Sequence, residues 1–269
     1  MRVYEYAKKR NVRSRDVVKK CHELGMMTVK NHLSLIPLKR IHELDQIDFA
    51  PKHPPVTRRK VFILCFDRRK RHPVLRQVIR SYQMHRDAVF LLQPQYGGIS
   101  EGSIERVVDV VIHHQWLKVS VYRIEKERII RFFIDMPDRV HALHTEREKL
   151  EAISILYQVA ISLLEDIPVD QVVGIDWPCG LFPLTFKRLN RHAPIDFHFY
   201  LSTINYEGIY DLNDLNLFFL DFRDKDTVEY AGSLNFLKAG LLSYSTIHFL
   251  NDAENQLKAS YLRDYYYEI

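Results

Sequence analysis

From residue 60 onward, short apolar runs alternate with stretches of helical spacing. This alternation constrains the fold more than any other feature of the chain. Val61-Phe62-Ile63-Leu64-Cys65-Phe66 is an unbroken apolar run, the pattern of a strand buried on both faces. Residues 73–85 have helical spacing, with Val74, Val78, Ile79 and Tyr82 inward. Residues 88–92 read as the next strand, closed by Pro94 and Gly97-Gly98. Residues 107–134 break the rhythm. Here 116–122 and 129–134 read as antiparallel strands joined by the charged turn Glu125-Lys126-Glu127. A long helix over 145–164 follows, with Ile153, Leu156, Tyr157, Ala160 and Leu164 on one face. Next come a strand over 172–175, a helix over 181–189, a strand over 197–201, a helix over 234–242, a strand over 246–250 and a helix over 253–261. Alternating β and α units imply an α/β domain on a parallel, doubly wound sheet. Ligands bind such sheets beyond the carboxyl ends of the strands, where Asp176 and Asn205 fall.

Charge marks a division. Residues 1–60 hold 15 Lys and Arg against 6 Asp and Glu, and the remainder holds 24 against 28. The change falls near Pro51-Lys52-His53-Pro54-Pro55, whose prolines remove donors and favour an extended linker. The expected organisation is a small helical module over 1–50, a linker over 51–59 and an α/β domain over 60–269. In the module, Val3, Tyr6 and Ala7 share a face of a first helix ending near Asn11. Ser14 is placed to cap a second helix carrying Val17, Val18, Cys21 and Leu24, which Gly25 stops. A third helix is expected over 37–44.

Several classes of function are disfavoured. No run of 18 or more apolar residues exists, so no transmembrane helix and no membrane partner are expected. The start lacks the apolar core of a secretory signal, which places the expected protein in the cytoplasm. Cys21, Cys65 and Cys179 offer neither a disulfide framework nor a metal pair. His113-His114 and His141-x-x-His144 lack zinc-site spacing and read as exposed histidines on a strand and at a helix start; no metal and no cofactor are expected. Tyr265-Tyr266-Tyr267 reads as packing or frayed chain.

Three blocks carry a resemblance. They are Gly174-Ile175-Asp176-Trp177-Pro178-Cys179-Gly180-Leu181, Thr203-Ile204-Asn205-Tyr206-Glu207-Gly208, and Asn235-Phe236-Leu237-Lys238-Ala239-Gly240. In order and spacing they resemble the D-W-H-x-G-L, T-I-H-N-x-x-Y-Q-G and N-x-L-K-x-G blocks of bacterial glycogen and starch synthases. Pro94-Gln95-Tyr96-Gly97 resembles that family's P-x-Y-G block. The resemblance implies the Rossmann-like N-terminal half of a GT-B glycosyltransferase, with ADP-glucose or glucan as ligand. It makes Tyr96, Gly97, Asp176, Trp177, Asn205, Tyr206 and Gly208 the ligand-binding candidates. From the residues alone, Asp176 reads as the cap of the following helix and Trp177 as packing for the turn.

Three departures weigh against catalysis. The family's K-x-G-G-L loop is replaced by Asp67-Arg68-Arg69-Lys70-Arg71-His72-Pro73, which has no glycine and reads as a solvated basic turn. The D-W-H histidine is Pro178. The chain ends at Ile269, so the expectation is a protein reduced to the first half of the enzyme. No catalytic residue is assigned. The expected role is non-catalytic or regulatory, through a sugar nucleotide, a glucan or a protein partner. Two alternatives stay open. One is a working ADP-glucose:glucan glucosyltransferase with its second half on another chain. The other is a protein that acts on RNA or the ribosome through its basic head. Arg2-Val3-Tyr4-Glu5-Tyr6-Ala7-Lys8, Ser14-Arg15-Asp16-Val17-Val18 and Leu24-Gly25 resemble the N-terminal module of bacterial translation initiation factor two. That resemblance implies docking to RNA-containing partners. The nucleic-acid candidates are Lys8, Lys9, Arg10, Arg13, Arg15, Lys19 and Lys20, acting as point charges on phosphates. A protein partner could instead grip the module at Leu33, Leu35 and Ile36.

Overall fold

The computed structural model describes residues 1–10, 12–47, 49, 58–67, 72–95, 102–137, 145–189, 194–202 and 208–249. The chain forms two compact units, Met1–Thr57 and Arg58–Ile269. The expected linker centre, the helix over 253–261, His141, His144 and the terminal tyrosines lie outside the described residues.

The first unit packs α1 (Val3–Arg10), α2 (Ser14–Glu23) and α3 (Ile41–Asp45) around Val3, Tyr6, Ala7, Val17, Cys21, Val29, Ile36 and Leu44. The Tyr6 hydroxyl donates to Asp45 Oδ1 at 2.9 Å, tying α1 to α3. Burial, with that acceptor second, pushes the Tyr6 phenol up to about 12. Gly25 stops α2 with φ 79°, as its position implied. Ser14 does not cap: it is the first helical residue, and Arg13 stands at the cap without a side-chain bond. The turn entered through Pro37 is a 3-10 segment, Leu38–Arg40, so α3 begins four residues later than expected.

The second unit is built on an eight-stranded sheet. Its strands are β1 (Lys60–Cys65), β2 (Ala88–Gln95), β3 (Ser103–Ile112), β4 (Gln115–Lys126), β5 (Ile129–Asp135), β6 (Gln171–Ile175), β7 (Asp196–Leu201) and β11 (Thr246–Phe249). Their order is β11-β7-β6-β1-β2-β5-β4-β3. The first six in that order pair in parallel, and β4 and β3 close the sheet as antiparallel strands. Helix α4 (Pro73–Met84) covers one face through Val74, Val78 and Tyr82. Helix α5 (Glu146–Asp166), α6 (Phe182–Leu189) and α8 (Phe236–Ser243) cover the other. Thr145 and Glu148 close a capping box that starts α5. A second sheet of β8 (Ile209–Asp211), β10 (Ser233–Asn235) and β9 (Glu229–Tyr230), with the short α7 (Lys225–Val228), lies between β7 and α8 in the chain.

Strand β3 was not expected, and the hairpins turn elsewhere than the charge pattern suggested. His113 and His114 occupy the β3–β4 turn at φ 49° and 65°, not a strand, and Glu127 and Arg128 occupy the β4–β5 turn at 55° and 65°. Helix α8 starts at Phe236 because Asn235 caps it: its side chain accepts from the Lys238 N–H at 2.8 Å. The crossover through α5 carries the chain from β5 back past β1 to β6. Strand order therefore reverses between β1 and β6, where open α/β sheets hold ligands.

Candidate functional site

Three side chains from separate segments meet at that reversal. Asp67 follows β1, His72 precedes α4, and Asp176 follows β6. His72 Nε2 lies 3.0 Å from Asp176 Oδ2 and 3.6 Å from Asp67 Oδ2. His72 is 5% exposed, and its Nδ1 accepts from the Leu75 N–H at 3.2 Å, capping α4. That bond needs a lone pair on Nδ1, so the pattern assigns the ring proton to Nε2, facing Asp176. Asp176 Oδ1 accepts from the Ser202 N–H at 2.6 Å. The Asp67 carbonyl accepts from Gln93 Nε2 at 3.2 Å.

Asp176 has φ 58° and ψ 172°, a region that only glycine occupies without cost. Its N–H donates to the Tyr200 carbonyl at 2.8 Å, and its two side-chain bonds fix the carboxylate. These bonds offset the strain and aim the carboxylate into the crevice. Asp176 is therefore not the helix cap expected from sequence: it makes no cap bond and pairs with His72 instead.

The rest of the block is knitted into the core. The buried Tyr157 hydroxyl, from α5, donates to the Pro178 carbonyl at 2.7 Å and accepts from the Leu181 N–H at 3.2 Å. The buried Tyr244 hydroxyl, just past α8, donates to the Cys179 carbonyl at 2.7 Å. Burial drives both phenols well above their ordinary range, so they stay neutral donors. Trp177 packs edge-on against Phe236 at 5.6 Å and lies 6.1 Å from Tyr210. A Cβ on Gly208, which has φ 78°, would stand 2.4 Å from the Trp177 ring. Gly208 is thus the indole's seat. Lys238 is 5% exposed and donates to the Glu229 carbonyl at 2.8 Å, while a Cβ on Gly240 would meet Phe199 at 2.3 Å. Each of these framework residues has a packing task.

Of the sequence candidates, Asp176, Trp177 and Gly208 are described. Trp177 and Gly208 are in contact, and Asp176 turns toward His72. Tyr96, Gly97, Asn205 and Tyr206 lie outside the described residues. His72 and Asp67 were missed as site residues. The signal was the His-Pro pair at a helix start, but the four basic residues before it dominate the segment. In the first unit Lys8, Lys9, Arg10, Arg13, Arg15 and Lys19 are exposed. Lys20 pairs with Glu23 at 2.6 Å, and Arg15 lies 3.6 Å from Asp16. No group of three His, Cys, Asp or Glu among the described residues could hold a metal, and no described helix is long and apolar enough to cross a membrane.

Comparison with known proteins places this geometry. The described α/β unit has a fold similar to that of the GT-B glycosyltransferases. The family described as starch synthase catalytic domain matches residues 73–249, more than half the chain, and the protein belongs to that family. The catalytic domain of starch synthase IV from Arabidopsis thaliana, solved with ADP and acarbose, superposes with a TM-score of 0.64 at 13% identity. That match covers 78% of this chain and 50% of the other, so the chain spans about half of that relative. Residues 1–36 match the family described as translation initiation factor IF-2, N-terminal region. Translation initiation factor IF-2 from Anoxybacillus flavithermus is 48% identical over 46 residues, 17% of this chain and 6% of that protein.

Proposed function

We propose that this protein holds a glucan or sugar-nucleotide ligand at the β1–β6 crevice without transferring glucose, and acts as a binding or regulatory member of its family in the cytoplasm. The observation that supports this reading is the Asp67–His72–Asp176 cluster. Its imidazole proton is committed to Asp176, and the cluster carries two carboxylates against one histidine. Fixed carboxylates accept hydrogen bonds from sugar hydroxyls, which a glucan and the glucosyl group of a sugar nucleotide both carry. Pro178 adds to the reading: where the family resemblance implies an imidazole, the chain has a buried proline whose carbonyl is bound to Tyr157. Tyr96, Gly97, Asn205 and Tyr206 follow β2 and β7 in the chain and are proposed to complete the ligand shell.

The test is transfer of labelled glucose from ADP-glucose to glycogen by the full chain, with calorimetry of ADP-glucose and maltoheptaose beside it. The expected result is no transfer, and maltoheptaose binding that Asp176→Asn weakens. Pro178→His alone should restore nothing. Turnover in the range of about 1–1000 per second would overturn the reading.

A second reading rests on the exposed basic residues of α1 and α2: association with RNA through phosphates. Full-chain binding to ribosomal RNA should then fall with salt by a power of roughly 0.9 per phosphate neutralised on duplex. Association that ignores salt would assign the module to a protein partner at the exposed Leu33 and Leu35; Ile36 is buried and takes no part.

A further inference from the structure

Strand β11 is the last strand at its end of the sheet, and among the described residues it pairs with β7 alone. It is four residues long, and two histidines bridge it to its neighbour. His198 of β7 and His248 of β11 bring Nδ1 and Nε2 to 2.9 Å, with ring planes 20° apart. Nearly coplanar rings at that distance share one N–H···N bond. His198 Nε2 lies 2.8 Å from Asp196 Oδ2, and the Ser245 hydroxyl donates to the other oxygen of that carboxylate. A neutral His198 thus gives its proton to Asp196 and accepts at Nδ1 from His248. A charged His198 gives one proton to each neighbour, and His248 accepts. In both states a single proton lies between the rings. Once both rings are charged, two N–H groups and two positive charges face each other at 2.9 Å, and the bond is gone.

The pair stands one strand from the crevice. His248 is opposite Tyr200 in the register, and the two rings stack at 4.2 Å. The Tyr200 carbonyl accepts from the Asp176 N–H at 2.8 Å, and the Ser202 N–H donates to the Asp176 carboxylate at 2.6 Å. Strand β7 therefore carries both the histidine contact and bonds that keep Asp176 at φ 58°. We propose that the His198–His248 pair is a proton-operated latch. It holds β11 on β7 while one proton is shared. When both rings are charged it releases β11 and loosens the grip of β7 on Asp176. The other ionisable groups around the pair among the described residues are already engaged. Asp196 is bound to His198 and Ser245. Tyr82 of α4 reaches the pair through Tyr200, and beside it Arg59 and Asp87 answer each other at 3.3 Å. Asp170, whose carbonyl accepts from the Asp196 N–H, turns its carboxylate to the Lys60 N–H. Burial, then the neighbouring His198, pushes the His248 imidazole below its ordinary value. The contact is therefore complete above the ordinary histidine pKa of about 6.5 and is lost as pH falls below it.

Amide hydrogen exchange on the full chain is the test, read as protection factors so that the intrinsic pH dependence of exchange drops out. From about pH 7.5 to about pH 5.0 the window spans histidine titration. Protection over 246–249 should fall at least about tenfold across it, the factor of a one-unit difference in pKa. Protection of the Asp176 N–H should fall with it. His248→Gln keeps an N–H for His198 Nδ1 and cannot become charged, so it should abolish the fall over 246–249. His72 ionises beside Asp176 on its own account, so the quantity read at Asp176 is the difference between the parent and His248→Gln. If His248→Gln leaves β11 open at both pH values, the His248 ring of the parent decides. Its titration midpoint by nuclear magnetic resonance should rise in His198→Gln, which removes the neighbouring charge. Unchanged protection over 246–249 overturns the latch, as does a fall that persists in His248→Gln or a midpoint indifferent to His198→Gln. A fall confined to 246–249 overturns the link to the crevice. Maltoheptaose binding should also weaken at the lower pH, an expectation that rests on the crevice reading proposed above. A chain that never binds maltoheptaose while the latch opens refutes that reading and leaves the latch standing.

Discussion

The crevice end of the large unit and the outer face of the basic head both gather charged residues, and they treat them in opposite ways. At the crevice, Asp176 and Asp67 lie 3.0 and 3.6 Å from one imidazole nitrogen of His72, which is nearly buried. On the head, Lys8, Lys9, Arg13 and Lys19 are exposed to water. Charges that answer one another at short range are coupled to folding, and removing one leaves a partner desolvated. Charges in water are nearly free of the fold. A change at the crevice therefore moves stability and ligand binding together. A change on the head moves association and shifts stability by no more than about 1 kcal/mol per charge.

The largest effect should come from the turn that carries the crevice. A Cβ on Gly180 would stand 2.0 Å from the Phe236 carbonyl oxygen, and a backbone atom cannot step aside as a side-chain tip can. Overpacking of this kind costs about 3 kcal/mol or more. At roughly 2–4 °C per kcal/mol for a unit of this size, Gly180→Ala should lower the melting temperature by about 6–12 °C. A shift under about 2 °C would mean that α8 yields, and that the crevice is softer than this comparison requires.

Next is Asp176, where strain and bonding can be separated. Asp176→Ala loses the bonds from Ser202 and His72 and keeps the φ of 58°. Asp176→Gly loses the same bonds but relieves about 1–3 kcal/mol of backbone strain. Glycine should therefore be the more stable of the two by about that amount in denaturant unfolding. Asp176→Asn keeps an acceptor for the Ser202 N–H at the same strained backbone, so it should exceed Ala. Equal stabilities for Ala and Gly would show that the backbone at 176 relaxes and stores nothing.

What the sequence showed follows the same division. The apolar runs of β1 and β6 were legible because burial on both faces leaves almost no polar position to disguise a strand. Strand β3 was not: its first three residues are exposed, and Arg106 reaches inward to bond the Ser162 carbonyl at 3.0 Å. Strands as short as Glu229–Tyr230 carry too few residues for any period to register. The framework glycines were visible as motif, but the clearances that require them were not. The crevice cluster was the least legible part. It joins residues distant in sequence, and nothing in the letters Asp-Trp-Pro announces a positive φ at Asp176. A run of four basic residues also drew attention away from His72.

The smallest effect, and the sharpest test of the contrast, lies on the head. Lys8, Lys9 and Arg10 fill the last turn of α1, while Arg15 lies in the first turn of α2, next to its cap residue Arg13. A helix favours cations at its C-terminal end and anions at its N-terminal end. Reversing Lys8 and Lys9 to Glu should therefore cost about 0.3–1 kcal/mol each at low salt. Reversing Arg13 and Arg15 removes the same charge but sits where the dipole favours Glu; the loss of the 3.6 Å contact of Arg15 with Asp16 offsets that gain. The second pair should leave stability within about 0.5 kcal/mol of the parent. If the head works by phosphate contact, both pairs should weaken RNA association alike, since each removes two phosphate contacts and lowers the salt slope by roughly 2. Equal loss of binding with unequal loss of stability would separate the head's surface from its fold. Unequal loss of binding would mean that the ends of α1 and α2 are not one electrostatic face.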